Sequence, residues 1–109
     1  MALIQCNFNS LALKSSTTVY VVLPDSEPGE EALNPKAGRK YQTLYLLHGI
    51  NDDCSKWIRR TPIERYAKQY HLAVVMPDAN MSFYTDMVYG NKYWTYISEE
   101  LPRVARSYF

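Results

Sequence analysis

Long apolar runs are missing from this sequence, and no segment approaches the roughly 20 consecutive apolar residues that a membrane-spanning helix needs. The opening MALIQCNFNSLALK has neither a basic start nor a continuous apolar stretch, so it does not read as an export signal. Cysteine is scarce too. Cys6 and Cys54 have neither CxxC spacing nor the density of a disulfide scaffold. Together these absences predict a cytoplasmic protein with two reduced thiols that behave as small buried hydrophobes. An excess of positive charge is also absent. Twelve Lys and Arg against eleven Asp and Glu leave a formal charge of +1, with the only basic doublets at Arg39-Lys40 and Arg59-Arg60. Neutralising several phosphates takes clustered cations, so nucleic acid is not an expected partner, nor is a membrane. With two histidines and two isolated cysteines the chain offers no metal-ligand spacing. Neither GxGxxG nor GxxxxGK[ST] occurs, so no standard nucleotide cradle is present and no cofactor is expected.

Apolar residues make up 47% of the 109, enough for one small domain that buries roughly two thirds of the surface its unfolded chain exposes. Leu3 to Phe8, Ser10 to Lys14 and Thr17 to Leu23 read as extended segments; the last, TTVYVVL, is dense in β-branched and aromatic residues. Their closeness predicts antiparallel hairpin pairing. Pro24 to Gln42, with three prolines and two glycines among many charges, reads as a long surface connection and not as a domain boundary. Thr43 to His48 is a short, nearly continuous apolar run, the pattern of a central strand covered on both faces of a parallel sheet.

Thr61-Pro62-Ile63-Glu64 has the form of a capping box with proline at the first helical position, predicting a helix to about Tyr70. Leu72 to Met76, ended by Pro77, reads as a second buried strand. Strand, capped helix and strand make a right-handed parallel crossover, and the fold class is α/β. Asp78 to Lys92 reads as a loop. Beyond it Trp94, Ile97, Leu101, Val104 and Tyr108 recur at helical spacing, in a helix that Pro102 should kink by removing a donor. No further strand follows this helix, so 1–109 is expected to be a single, partial domain.

Ligands of open α/β sheets bind outside the carboxyl ends of the strands. Two such ends are HGINDD, after the first parallel strand, and PDANMSFYTD, after the second. Gly49 lets the backbone turn close to a ligand, and the amide just beyond it, that of Ile50, could face a developing negative charge. His48 reads as a structural histidine bonded within the loop rather than a general base, and His71 as a partner for the dipole of the helix it follows. Asp52-Asp53, Asp78 and Asp86 fit turn and cap roles. A serine nucleophile of an α/β enzyme needs the small neighbours of a GxSxG elbow, and glycines 29, 38, 49 and 90 form none. Ser55 and Ser82 therefore read as loop or cap serines.

The stretch from Leu44 to Val104 resembles the esterase D and S-formylglutathione hydrolase family of α/β hydrolases, its bacterial tributyrin-esterase branch above all. LLHG with a polar loop, Trp57, RTPIER, VVMPD, SFYTDM followed by YG, and EELP carry the likeness by their order and spacing. The resemblance implies the N-terminal part of an α/β-hydrolase fold. It also implies hydrolysis of short-chain acyl esters by a Ser-His-Asp triad without metal or cofactor. The residue after His-Gly supplies an oxyanion-hole amide in that family, which maps onto Ile50, and Trp57, Phe83 and Tyr84 would line the acyl pocket. Trp94 is expected in the core. Serine, acid and catalytic histidine would come from polypeptide beyond this chain, so the chain alone is expected to be inactive. In the family's sheet order a further strand pairs with Thr43 to His48, which predicts self-association or pairing with the absent C-terminal part. The alternative is a non-catalytic binding or assembly module with a vestigial pocket.

Overall fold

The structure, a computed structural model, describes residues 1–24, 42–80, 82, 84–86 and 92–109. Strands β1 (Ala2–Ser10) and β2 (Ser15–Leu23) form an antiparallel hairpin in register from Ala2 opposite Leu23 to Ser10 opposite Ser15. Along β1 the period of two is kept. Ile4, Cys6 and Phe8 face inward, whereas Leu3, Gln5, Asn7 and Asn9 face solvent. β3 (Gln42–Tyr45) is followed by two short helices, α1 (Lys56–Arg60) and α2 (Ile63–Tyr70), and then by β4 (Leu72–Pro77). The sheet order is β1-β2-β4-β3, with β2 antiparallel and β3 parallel to β4.

β4 holds the centre because its two sets of side chains are both apolar. Val74 and Met76 enter a layer with Val22, Ile63 and Ala67 beneath α1 and α2. Val75 enters the other layer with Val19, Val21, Tyr96 and Leu101, beneath the helical segment that starts at Tyr93. Burying one such side chain contributes about 1.5–3 kcal/mol. Helices thus cover both faces of a mixed sheet, as the α/β reading expects.

Four expectations are corrected. First, the strand covered on both faces is β4, not the run from Thr43. β3 lies at the sheet edge among the described residues, is only four residues long, and leaves Leu44 exposed; pairing extends only to the Leu46 amide on the Val75 carbonyl, 2.9 Å. A continuous apolar run does not say which of two parallel strands is inside. Second, Leu11–Lys14 is a tight turn rather than a strand, closed with Lys14 in the left-handed region at φ 55°. Third, Thr61 does not cap α2. Its hydroxyl donates to the Trp57 carbonyl and closes α1, while Pro62 occupies the position before α2 with no side-chain cap.

Fourth, the helical face is rotated from the expected one. Tyr93, Tyr96, Leu101 and Ala105 are buried, whereas Trp94 is 57% exposed and not in the core, and Tyr108 is exposed as well. The winding changes along this segment: α3 (Tyr93–Thr95) passes into a π turn (Tyr96–Glu100) and then into α4 (Leu101–Tyr108). The wider turn immediately precedes Pro102, which lacks an N–H to continue the helical bonding pattern. The connection from Asp25 to Tyr41 lies outside the described residues, and no described helix is long and apolar enough to cross a membrane.

Candidate active site: the loops after the two parallel strands

Because β3 and β4 run parallel, the loops that leave Tyr45 and Pro77 emerge at the same sheet end. They meet through His48, which is 3% exposed. Its Nε2 accepts the Ala79 amide at 3.0 Å, so the ring proton sits on Nδ1, which lies 2.8 Å from the Gly49 carbonyl and donates to it. The His48 carbonyl accepts the hydroxyl of Tyr84, and the two rings are 6.0 Å apart, tilted by 56°. Asp78 Oδ1 is 3.6 Å from Nε2, beyond hydrogen-bond reach.

Gly49 to Asp52 form a turn closed by the Asp52 amide on the Gly49 carbonyl, 3.3 Å, with Asn51 at φ 65° in its third position. The left-handed residue is thus Asn51. Gly49 stays out of that region, and a Cβ there would make ordinary contact with Lys56 Nζ at 3.6 Å. Ile50, second in the turn, is 59% exposed, and among the described residues its amide has no acceptor. Lys56 Nζ pairs with Asp52 Oδ2 at 3.3 Å and lies 5.4 Å from the Trp57 ring centroid, adding a cation at the rim of the turn.

The turn rests on a second polar bend. Ser55 donates both its amide, at 2.8 Å, and its hydroxyl to Asp53 Oδ1, and Arg59 Nε donates to the same hydroxyl. These donations hold the Asp53 carboxyl below its ordinary range, with the Arg59 charge adding to the effect. Cys54 is buried beneath, and desolvation, then the charges of Asp78 and Asp53, push its thiol up to about 11. It is a small hydrophobe, not a nucleophile. Burial also raises the Tyr84 phenol, with Asp78 adding to the shift and the bond to the His48 carbonyl opposing it.

Of the residues singled out from sequence, the structure brings Gly49, Ile50 and Tyr84 around His48. Trp57 is half-buried against the Val22, Ile63, Ala67, Val74 and Met76 layer, with a buried Nε1 that finds no partner among the described residues. Phe83 lies outside the described residues. Ser82 is a buried loop serine whose Oγ accepts the Tyr84 amide at 3.1 Å, and Ser55 is engaged as above. His71 caps α2 in the left-handed conformation, φ 53°, its amide on the Ala67 and Lys68 carbonyls. Sequence reasoning missed α1 and the acceptor role of His48 toward Ala79; a buried histidine bonded 31 residues along the chain leaves no local signal.

Both histidines are thereby excluded as a general base here. His48 has both ring nitrogens engaged. His71 sits at the amino end of β4, about 20 Å from the loops for a six-residue strand. Among the described residues no group of three or more histidine, cysteine or carboxylate side chains could hold a metal ion.

Residues 10–109 match the family model described as "Putative esterase". An acetyl esterase from Caldicellulosiruptor saccharolyticus is 32% identical over 110 residues, covering 100% of this chain and 41% of the relative. Among solved structures, the fluorophosphonate-binding serine hydrolase FphF of Staphylococcus aureus, with substrate bound, is 35% identical at a TM-score of 0.83. It covers 98% of this chain and 41% of its own. The S-formylglutathione hydrolase FrmB of the same organism is 35% identical at a TM-score of 0.79, covering 99% and 41%. The chain therefore spans about two fifths of the length of these relatives, and its sheet and helices correspond to part of an α/β-hydrolase fold. On that match over nearly its whole length, the chain belongs to the esterase family.

Proposed function

We propose that this chain supplies part of a serine carboxylesterase site that hydrolyses short-chain acyl esters of small alcohols, glycerol or acetylated sugars in the cytoplasm. Ile50 contributes one backbone donor of the oxyanion hole, Gly49 shapes the turn that carries it, and Tyr84, Trp57 and Phe83 contribute to the acyl pocket. The observation that carries the reading is the uncommitted Ile50 amide. It stands on an exposed turn at the carboxyl end of parallel strands, in a chain whose relatives are esterases and serine hydrolases. In the reaction a serine hydroxyl adds to the ester carbonyl and a histidine takes the hydroxyl proton. The carbonyl oxygen becomes an oxyanion held by preorganised N–H groups; the alcohol leaves with the proton, and water releases the acid in the same two steps. The base has to come from other polypeptide, because neither histidine of this chain is free for it. No cofactor enters the scheme.

The chain alone should show no hydrolysis of p-nitrophenyl acetate above buffer and no labelling by a fluorophosphonate probe. Both should appear on complementation with polypeptide that carries a GxSxG serine and its histidine. Ile50→Pro is the test variant. Proline suits the second position of such a turn yet has no N–H. Loss of one oxyanion donor should lower kcat about 10²–10³-fold in the complemented site. Activity unchanged by this substitution would refute the oxyanion role. The outer edge of β3, unpaired among the described residues, is the surface we expect to pair with a completing strand or with a second copy. Light scattering that shows a stable monomer would count against self-association.

A further inference from the structure

We propose that His48 and Tyr84 are positioning residues that together set the direction of the Ile50 amide; the catalytic consequence, though not the geometry, rests on the esterase reading above. A trans peptide is planar, with C=O and N–H on opposite sides. Whatever fixes the Gly49 carbonyl therefore fixes the Ile50 N–H. That carbonyl accepts from two donors, His48 Nδ1 at 2.8 Å and the Asp52 amide at 3.3 Å. Both hold it toward the protein and leave the amide facing away. The preceding peptide is held in the same manner, by the Tyr84 hydroxyl on the His48 carbonyl. Two successive carbonyls are thus anchored on either side of Gly49, the residue whose dihedrals are otherwise the freest in the loop.

The anchors are themselves rigid. The buried imidazole is a strut between the two loops, one nitrogen on the Gly49 carbonyl and the other on the Ala79 amide. Tyr84 sits at φ 58°, a conformation that costs an aromatic L-residue on the order of 1–2 kcal/mol and persists only where its surroundings enforce it. Ser82 Oγ, accepting the Tyr84 amide, is one such constraint. An uncommitted loop would let the Ile50 amide turn toward water. Here the orientation is set before any substrate arrives, which is the condition for an amide to stabilise charge at no reorganisation cost.

Two conservative replacements separate the roles of the ring nitrogens. His48→Asn offers a donor near the Nδ1 position and none near Nε2; His48→Gln offers polar atoms near Nε2 and none near Nδ1. On the 15N-labelled 109-residue chain, long-range imidazole correlations should show His48 as the Nδ1–H tautomer. The Ile50 N–H order parameter should be about 0.85 in the unaltered chain, somewhat lower in His48→Asn, which keeps the carbonyl anchor but loses the Ala79 link, and below about 0.6 in His48→Gln. Tyr84→Phe, which removes only a hydroxyl and keeps the packing, should lower it in the same direction. An Nε2–H or mixed tautomer, solvent-like imidazole shifts from any cause including an unfolded chain, or equal Ile50 values in the Asn and Gln variants would overturn the proposal. The esterase reading fails separately. If Ile50→Pro leaves the complemented site active, the amide is not an oxyanion donor, while the His48 tautomer and the Ile50 order parameter stay where the clamp puts them.

Discussion

Two turns of this molecule are each held by a buried ionisable side chain, and they leave opposite backbone groups unused. At the β1–β2 turn the Glu100 carboxylate, 4% exposed, accepts the amides of Leu11 at 2.8 Å and Ala12 at 3.2 Å together with the Ser10 hydroxyl. Ser10 Oγ in turn accepts the Leu13 amide at 3.0 Å. The amides of Leu11, Ala12 and Leu13 and the Ser10 hydroxyl are all consumed. At the Gly49–Asp52 turn the buried group is a neutral histidine, and it and Tyr84 engage carbonyls, so a donor remains facing outward. An acceptor side chain makes a closed, structural turn; a donor side chain makes a turn that presents an amide. The difference lies in the chemistry of the anchoring residue rather than in the shape of the turn.

The sharpest way to break this comparison is to remove the anchor that satisfies amides. Glu100→Ala would leave two amides and a hydroxyl without their acceptor in a buried setting and should cost about 3 kcal/mol, read as a shift in the urea midpoint. A loss below about 1 kcal/mol would mean that water already serves those donors. One substitution placed in both turns sharpens the contrast. Leu11→Pro deletes an amide donated to a carboxylate and should cost about 2 kcal/mol. Ile50→Pro deletes an amide with no acceptor and should stay within about 0.5 kcal/mol of the unaltered chain. Equal losses at the two positions would show that the Ile50 amide is in fact engaged. Tyr84→Phe comes next, at about 1 kcal/mol for one lost hydrogen bond to a backbone carbonyl.

The same contrast explains what could be read from the sequence. β2 and β4 are legible because TTVYVVL and LAVVMP carry strand composition along their own length; α2 is expected from TPIE and does run to Tyr70, although Thr61 is not its cap. The β1–β2 turn is illegible because its anchor is 88 to 90 residues away, so Ser10 to Lys14 looks extended when only neighbours are considered. Thr61 has every local mark of a cap for α2, yet its hydroxyl donates to the Trp57 carbonyl instead, and nothing in TPIE distinguishes that role from accepting the Glu64 amide. The turn at Gly49 and Ile50 was legible as an abrupt stop of an apolar run. The clamp behind it was not, since His48 reaches Ala79 and Tyr84 reaches His48 from a loop whose pairing no periodicity encodes.

Asp53 offers the smallest test, in the bend that supports the presenting turn. Its carboxylate accepts the Ser55 hydroxyl and amide, which hold its pKa below the ordinary aspartate value of about 3.9. A carboxyl with a lowered folded-state pKa contributes stability that is fully present above the ordinary value and fades as pH falls through the lowered one. The group is exposed and screened, so the contribution should be under about 1 kcal/mol. Asp53→Asn keeps one acceptor oxygen but carries no charge to favour the Ser55 and Arg59 donors. Its deficit against the unaltered chain, measured by urea at pH 6, should therefore narrow steadily below pH 4. A deficit that widens on acidification would mean that the carboxylate is repelled in the folded state, and that Asp78 and Asp52 rather than Ser55 set the electrostatics beneath the Ile50 turn.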